Sequence, residues 1–305
     1  MSRKRLLMLG ATVLVAGTAA AILLDPTRAL RGYIAGERFF RDRPTSYWQR
    51  ELTGGDPMAQ VLARQALREA RVEALPVLEE LLRGGGDDWN AARWIAAELL
   101  GELGEDGKPA TPALVRALND PDGHVRAVAA TSLATIGSGQ VEAVPVLIAM
   151  LEGGQRLQAA RALARFGPGA KDAIEPLRNL MYDADVDVRW NAARTLGKIG
   201  ADAAAVVPEL IQQLNDPVAE VREHAAEALG DIGPPAMQGV LPLIRALVDK
   251  DPRVRRDAAR SLGKIGPAAK SAVPDLLKLA NDPDPRVKEA AVKAARILDP
   301  AIAVP

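Results

Sequence analysis

The chain has 305 residues, 48% apolar but only 3% aromatic, and no cysteine. Such a core is built from Ala, Leu, Val and Ile, which suits closely stacked helices better than a β-sandwich, and the missing thiol excludes disulfides, thiolate metal sites and Cys nucleophiles. Thirty-nine Lys/Arg match 39 Asp/Glu, yet residues 1–50 hold nine against three and the remainder 30 against 36, so the mildly acidic body lacks the basic stripe that phosphate recognition needs and no nucleic-acid partner is expected.

Arg3, Lys4 and Arg5 precede an uncharged run from Leu6 to Leu24, closed by Asp25-Pro26. Nineteen residues at ~1.5 Å per residue approach the ~30 Å hydrocarbon core of a bilayer. Residues 1–24 therefore read as a signal-anchor or signal peptide, with residues 6–24 contacting the membrane as a hydrophobic helix. Ala19-Ala20-Ala21 offers small residues for cleavage, but the apolar run continues through Ile22, Leu23 and Leu24, longer than a usual signal-peptide core. The reading is a single N-terminal anchor with the repeats outside the cytoplasm; the alternative is a secreted or periplasmic chain after cleavage. Orientation rests on the short basic N-terminus, because Arg28, Arg31, Arg38, Arg41 and Arg43 on the other flank blunt the positive-inside rule.

Residues 25–55 form a basic connector with a capping helix. Its N-cap is expected at Thr45 or Ser46, and Tyr47, Trp48 and Leu52 are expected to cover the open end of a helical stack formed by the rest of the chain.

Residues 56–305 repeat. The phrase Leu-Gly-x-Ile/Leu-Gly ends at Gly104, Gly200, Gly233 and Gly266, with looser copies ending at Gly137 and Gly167. From Gly104 onward the intervals are 33, 30, 33, 33 and 33, and Arg71 and Asp299 lie one period beyond each end. Eleven residues before each terminal position stands a basic residue: Arg93, Arg126, Arg156, Arg189, Arg222, Arg255 and Lys288, with Gln60 the exception. Seventeen residues before it stands Asp87, Asp120, Asp183, Asp216, Asp249 or Asp282. The fourth repeat, shortened by three residues, lacks this aspartate. Three series sharing one period mark an internal repeat.

Each period resolves into two helices. Val188, Ala192, Leu196 and Ile199 fall at helical spacing, and Gly200 is expected to close that helix in the left-handed conformation. A second helix begins near Pro208, because proline is tolerated in the first turn, and Val207, Leu210, Ile211 and Leu214 form its expected buried stripe. Asn215-Asp216-Pro217 then turns the chain, and the same grammar recurs at Pro145, Pro242 and Pro274. Paired alanines (Ala192-Ala193, Ala225-Ala226, Ala258-Ala259, Ala290-Ala291) allow close helix approach. The basic and aspartate series read as a structural ladder between repeats, suited to the guanidinium fork.

The run from Val221 to Gly233, Val-Arg-Glu-His-Ala-Ala-Glu-Ala-Leu-Gly-Asp-Ile-Gly, resembles the core of a HEAT repeat of the bacterial phycobilisome-lyase-like type, and the resemblance spans about residues 56–299. It implies an all-α fold, an α-solenoid (α/α superhelix) of about eight HEAT-like two-helix repeats, here preceded by the N-terminal hydrophobic helix. Members of that class include protein-interaction scaffolds, phycobilin lyase subunits, helical-repeat DNA glycosylases and deoxyhypusine hydroxylase. The hydroxylase reading needs several His-Glu pairs around two irons, whereas this chain has only His124 and His224, read as surface residues. A glycosylase would want a basic, aromatic-rich face, and the N-terminal hydrophobic segment weighs against the bilin lyases.

Other signals fall away. The repeated Gly-x-x-Gly follows a helix and lacks a phosphate-loop Lys, so these glycines read as helix terminators. Asp183-Ala184-Asp185-Val186-Asp187 starts like a calcium loop, but Val188 and Arg194 stand where Gly and Glu are needed. No catalytic constellation, metal box or cofactor site is present, and the expectation is a non-enzymatic scaffold, with an accessory subunit or repeat-fold enzyme as the alternative.

By analogy with solenoids of this kind, second helices line the concave surface. Their solvent side is expected to carry Arg116, Met150, Asn179, Glu209, Gln212, Gln213, Arg245, Asp275 and Lys278, a mixed-sign row suited to a protein or peptide partner. Arg116, Gln212, Arg245 and Lys278 are the candidates there. Trp94 and Trp190, each one residue after a ladder arginine, are candidates on the first helices.

Overall fold

The computed structural model describes residues 27–137 and 140–302. The hydrophobic segment 6–24 lies outside them, and among the described residues no helix is long and apolar enough to cross a membrane. The chain divides into two compact units, parting at residues 138 and 139.

The first unit opens with helix α1 (Ala29–Ala35), two-residue strands β1 (Phe39–Phe40) and β2 (Arg43–Pro44), and helix α2 (Thr45–Thr53). The strands pair antiparallel, Phe39 opposite Pro44, around Arg41 and Asp42, both at positive φ. A two-residue hairpin requires that twist and usually recruits Asn-Gly for it, so Arg-Asp gave no sequence signal. The expected N-cap is also corrected. Neither Thr45 nor Ser46 caps α2; Pro44 stands at that position and Thr45 is the first helical residue. The first helix N–H groups find other acceptors: Thr45 N donates to Arg38 O at 3.0 Å and Ser46 N to Glu37 Oε2 at 2.6 Å, while the Thr45 hydroxyl bonds Glu80. Trp48 and Leu52 are buried, and α2 packs on the next three helices in the chain: α3 (Pro57–Glu69), α4 (Leu75–Arg83) and α5 (Asn90–Glu102). Helices α6 (Thr111–Ala117) and α7 (Gly123–Ile136) complete this unit.

The second unit comprises α8 (Val144–Leu151), α9 (Arg156–Leu163), α10 (Ile174–Leu180), α11 (Val186–Ile199), α12 (Val207–Gln213), α13 (Ala219–Ile232), α14 (Val240–Ala246), α15 (Pro252–Ile265), α16 (Val273–Lys278) and α17 (Pro285–Leu298). From α3 onward, odd-numbered helices are the first of each period and even-numbered ones the second, joined by 3-10 turns such as Gly200–Val206 and Gly266–Ala272. Helix α17 has no second helix among the described residues. The shortened fourth repeat has a shortened first helix, α9, of 8 residues where α11 has 14.

First helices stack on first helices, and small residues make this possible. Ala192, Ala193, Ala225, Ala226, Ala258 and Ala259 are all fully buried. The first glycine of each Gly-x-x-Gly is a packing position rather than a terminator, correcting the sequence reading. A Cβ on Gly197 would sit 2.7 Å from Ala228 Cα, and one on Gly230 2.7 Å from Ser261 Cα; real atoms do not approach so closely. The second glycine does end the helix, but not in the left-handed helical conformation expected of Gly200. It adopts φ 82°, ψ −141°, and Gly233 and Gly266 are alike, a region that only glycine occupies freely.

A second aspartate series, two residues after the first, starts the first helices. Asp122, Asp185, Asp251 and Asp284 each accept a backbone N–H from the helix they precede, satisfying donors that a helix start leaves open. Helix α13 has Val218 at this place and no side-chain cap.

Candidate binding surfaces

The arginine and aspartate series meet across consecutive repeats. Arg93 pairs with Asp120 at 2.8 Å, Arg156 with Asp183 at 2.7 Å, Arg189 with Asp216 at 3.2 Å, Arg222 with Asp249 at 2.7 Å and Arg255 with Asp282 at 2.8 Å. In each pair the aspartate lies 27 residues after its arginine. Arg189, Arg222 and Arg255 also donate to the carbonyls of Asp183, Asp216 and Asp249 in their own repeats, at 2.8, 2.9 and 2.9 Å. Each of these aspartates accepts a further N–H two residues on, as Asp249 does from Asp251 at 2.8 Å. These bonds tie the arginine and aspartate pairs into the turns between repeats.

Two members of the series differ. Arg126 bonds the carbonyls of Asp120 and Pro121 and has no acidic partner among the described residues; Met150 stands where the shortened repeat would carry the aspartate. Lys288 is exposed and joins no such pair among the described residues, which removes it from the expected ladder. The Asp87 side chain lies outside the described ones.

On the second helices, Arg116, Gln212, Arg245 and Lys278 are exposed as expected. Gln212 accepts a hydrogen bond from Tyr182 Oη at 3.1 Å, and Lys278 pairs with Asp275 at 2.7 Å. Arg116 and Arg245 have no acidic partner among the described residues. Arg245 lines a groove of about 210 Å³ between α12 and α14, with Ile211, Asn215, Pro242 and Asp249. On either side of it in sequence, Leu241 is 63% and Val248 82% exposed. Gln213 is corrected: it is buried, its amide donating to Met181 O at 2.7 Å. Ile211, expected within the buried stripe, is half-buried.

Trp94 and Trp190 are half-buried, and each meets a histidine of the next repeat. Trp94 touches His124 edge-on at 5.3 Å between centroids, and Trp190 stacks on His224 at 4.6 Å. An arginine from the preceding repeat lies over each indole, Arg64 at 5.2 Å and Arg161 at 5.9 Å. His124 is exposed, as expected of a surface residue, and His224 is half-buried, and both also pack against an indole. His224 Nδ1 also bonds Glu227 Oε2 at 3.0 Å. That bond, reinforced by Lys198, holds the Glu227 carboxyl at about 2 despite its burial.

Among the described residues no three His, Cys, Asp or Glu side chains gather closely enough to hold a metal. The calcium-loop-like aspartates have protein partners: Asp183 binds Arg156, Asp185 caps α11, and Asp187 accepts Trp190 Nε1 at 2.9 Å.

With helix pairs, terminal glycines and inter-repeat pairs in place, the comparison with known families is decisive: HEAT repeats match over residues 75–156, 153–207 and 207–296. The chain belongs to the HEAT-repeat family. A crystal structure of an engineered protein is similar to this HEAT chain at 25% identity and a TM-score of 0.41, covering 83% of this chain and 96% of that one. No curated protein matches it by sequence.

Two features of these HEAT repeats escaped the sequence reading. The capping aspartates were visible as Asp-x-Asp in Asp120–Asp122, Asp183–Asp185, Asp249–Asp251 and Asp282–Asp284. The grouping of Arg161, Arg165, Arg194, Lys198 and His224 around Trp190 had a signal as well, since Arg161 and Arg165 lie one 33-residue period before Arg194 and Lys198.

Proposed function

We propose that this HEAT-repeat chain is a non-enzymatic interaction scaffold, tethered to a membrane through residues 6–24, that takes a protein or peptide partner along its second-helix face. The observation that carries the reading is the surface around Arg245, a guanidinium with no acidic partner among the described residues, beside a groove and flanked by exposed Leu241 and Val248. Apolar anchors beside an arginine suit protein recognition, and HEAT repeats commonly serve it. The phycobilisome-lyase-like pattern of residues 221–233 brings architecture to this reading and no lyase chemistry.

The tether rests on Arg3, Lys4 and Arg5 followed by the uncharged run 6–24. Helix α1, close behind, supports it by leaving Tyr33 80% and Ile34 68% exposed among Arg31, Arg38 and Arg41, the composition of a membrane–water boundary. An N-inside orientation puts the repeats outside the cytoplasm.

The test is affinity capture with the full chain in detergent, beside two charge-reversed baits, R116E and R245E/K278E, read by mass spectrometry. A partner retained by the parent and lost by R245E/K278E supports the reading. A partner held equally by all three baits overturns the assigned face, and an empty capture overturns the scaffold. Extraction of membranes with alkaline carbonate tests the tether: release of the full chain into the supernatant would remove it.

A further inference from the structure

The outer faces of the first helices carry a belt of ion pairs in which a cation meets an acid about one repeat away. Arg64 pairs with Glu98 and Arg68 with Glu102 in the first unit. In the second, Lys198 pairs with Asp231, Lys264 with the same Asp231, and Arg256 with Glu223. The belt lapses between α9 and α11. One period after Arg161 stands Arg194, and one period after Arg165 stands Lys198, so cations occupy the places where an acid is needed. Lys198 is neutralised from the other side by Glu227 and Asp231. Arg161, Arg165 and Arg194 have no acidic partner among the described residues.

These three arginines line one cavity of about 670 Å³ with Trp190, Asn191 and His224. Gathering like charges in one concavity is unfavourable unless an anion answers them. The site around Trp94 is an internal comparison: the arginine over that indole is already neutralised by Glu98, whereas Arg161 over Trp190 meets no acid among the described residues.

We propose that the Arg161, Arg165 and Arg194 cavity beside Trp190 binds an acidic, Asp/Glu-rich segment of a protein partner. Guanidinium forks engage carboxylates bidentately, and three of them lining one concavity suit neighbouring acidic side chains of one segment. A carboxylate peptide is favoured over a nucleic acid because residues 51–305 carry six more acids than bases and would repel a longer polyanion outside the cavity. This surface is separate from the second-helix face around Arg245, so the two proposals fail independently.

The experiment is fluorescence anisotropy on the full chain in detergent with three labelled probes: an Asp/Glu-rich peptide, its Asn/Gln counterpart and a single-stranded DNA oligonucleotide. The acidic peptide should bind, and more weakly as salt rises. R165E/R194E should weaken it about tenfold or more, while R165K/R194K keeps most of the affinity. Circular dichroism melting checks that the reversal variant is folded, and R165Q, a single change at an exposed residue, is read in its place if it is not. Three results would each overturn the inference: no binding of the acidic peptide by the parent chain, equal binding by the folded reversal variant, or tighter binding of the oligonucleotide.

Discussion

Arg222 and Asp249 join two repeats through a two-pronged bond: Nε to Oδ2 at 2.7 Å and Nη2 to Oδ1 at 2.9 Å. The arginine is only 6% exposed, and its remaining terminal nitrogen, Nη1, reaches the carbonyls of Asp216 and Pro217. Removing one partner of such a buried pair strands the other charge, at a cost of roughly 3–5 kcal/mol. Asp249→Ala should therefore lower the urea midpoint sharply, and Arg222→Lys, which keeps the charge but not the fork, should lower it less. Equal midpoints for D249A and the parent would show that the pair contributes nothing net.

The same pairs predict acid sensitivity. The Arg255 hydrogen bond holds the Asp282 carboxyl below the usual carboxylate range, outweighing its burial. A carboxyl with a lower pKa folded than unfolded contributes stability that is complete above its unfolded value, about 3.9. That stability is lost as pH falls through the folded value. Thermal midpoints should be flat near neutrality and fall below about pH 4. Arg255→Gln should be less stable at pH 7 yet lose less on acidification. A parallel pH profile for both proteins would rule out this linkage.

The glycine seam separates two opposing effects. Gly→Ala inside a helix gains about 1 kcal/mol of propensity, while overpacking costs about 1–3 kcal/mol. A Cβ on Gly197 or Gly230 would meet backbone of the next helix at 2.7 Å, but on Gly263 the nearest atom is 3.3 Å away. Gly197→Ala and Gly230→Ala should lower the melting temperature, and Gly263→Ala should be neutral or stabilising. Ala226→Leu, at a fully buried site, should lower it as well. Calorimetry on the four variants decides, and a rise for G230A would sink the seam.

Helix α13 is the natural place to add a cap. Asp at this position caps α7, α11, α15 and α17, and Val218 leaves α13 without one. Val218→Asp should stabilise the chain by roughly 0.5–1 kcal/mol, and Asp284→Ala should destabilise by about as much. Chemical denaturation measures both, and a destabilised V218D would mean that packing at Val218 outweighs the cap.

Periodicity made most of this architecture readable in one dimension. A 33-residue interval repeated through Gly200, Gly233 and Gly266 announces two helices per unit, because a lone pair cannot bury its apolar stripe and must stack on a copy of itself. Local chemistry also placed the second helices, since proline such as Pro208 is tolerated only in a first turn. The β1–β2 hairpin escaped because Arg41 and Asp42 adopt positive φ without the residues that normally advertise it.

The binding surfaces were only half visible. Sequence ordered the residues by period and set the exposed places of Arg116, Arg245 and Lys278, because exposure on a helix follows from register. Only the tertiary structure decided which charges are answered. Arg64 and Arg161 occupy comparable places over an indole, yet one finds Glu98 and the other faces Arg194. It also decided that Gln213 turns inward to Met181 and that Gly197 lies against Ala228. Register along one helix is set by the backbone's own geometry, whereas partnership between helices depends on the rotation and separation at which two of them pack, and no single segment encodes that alone.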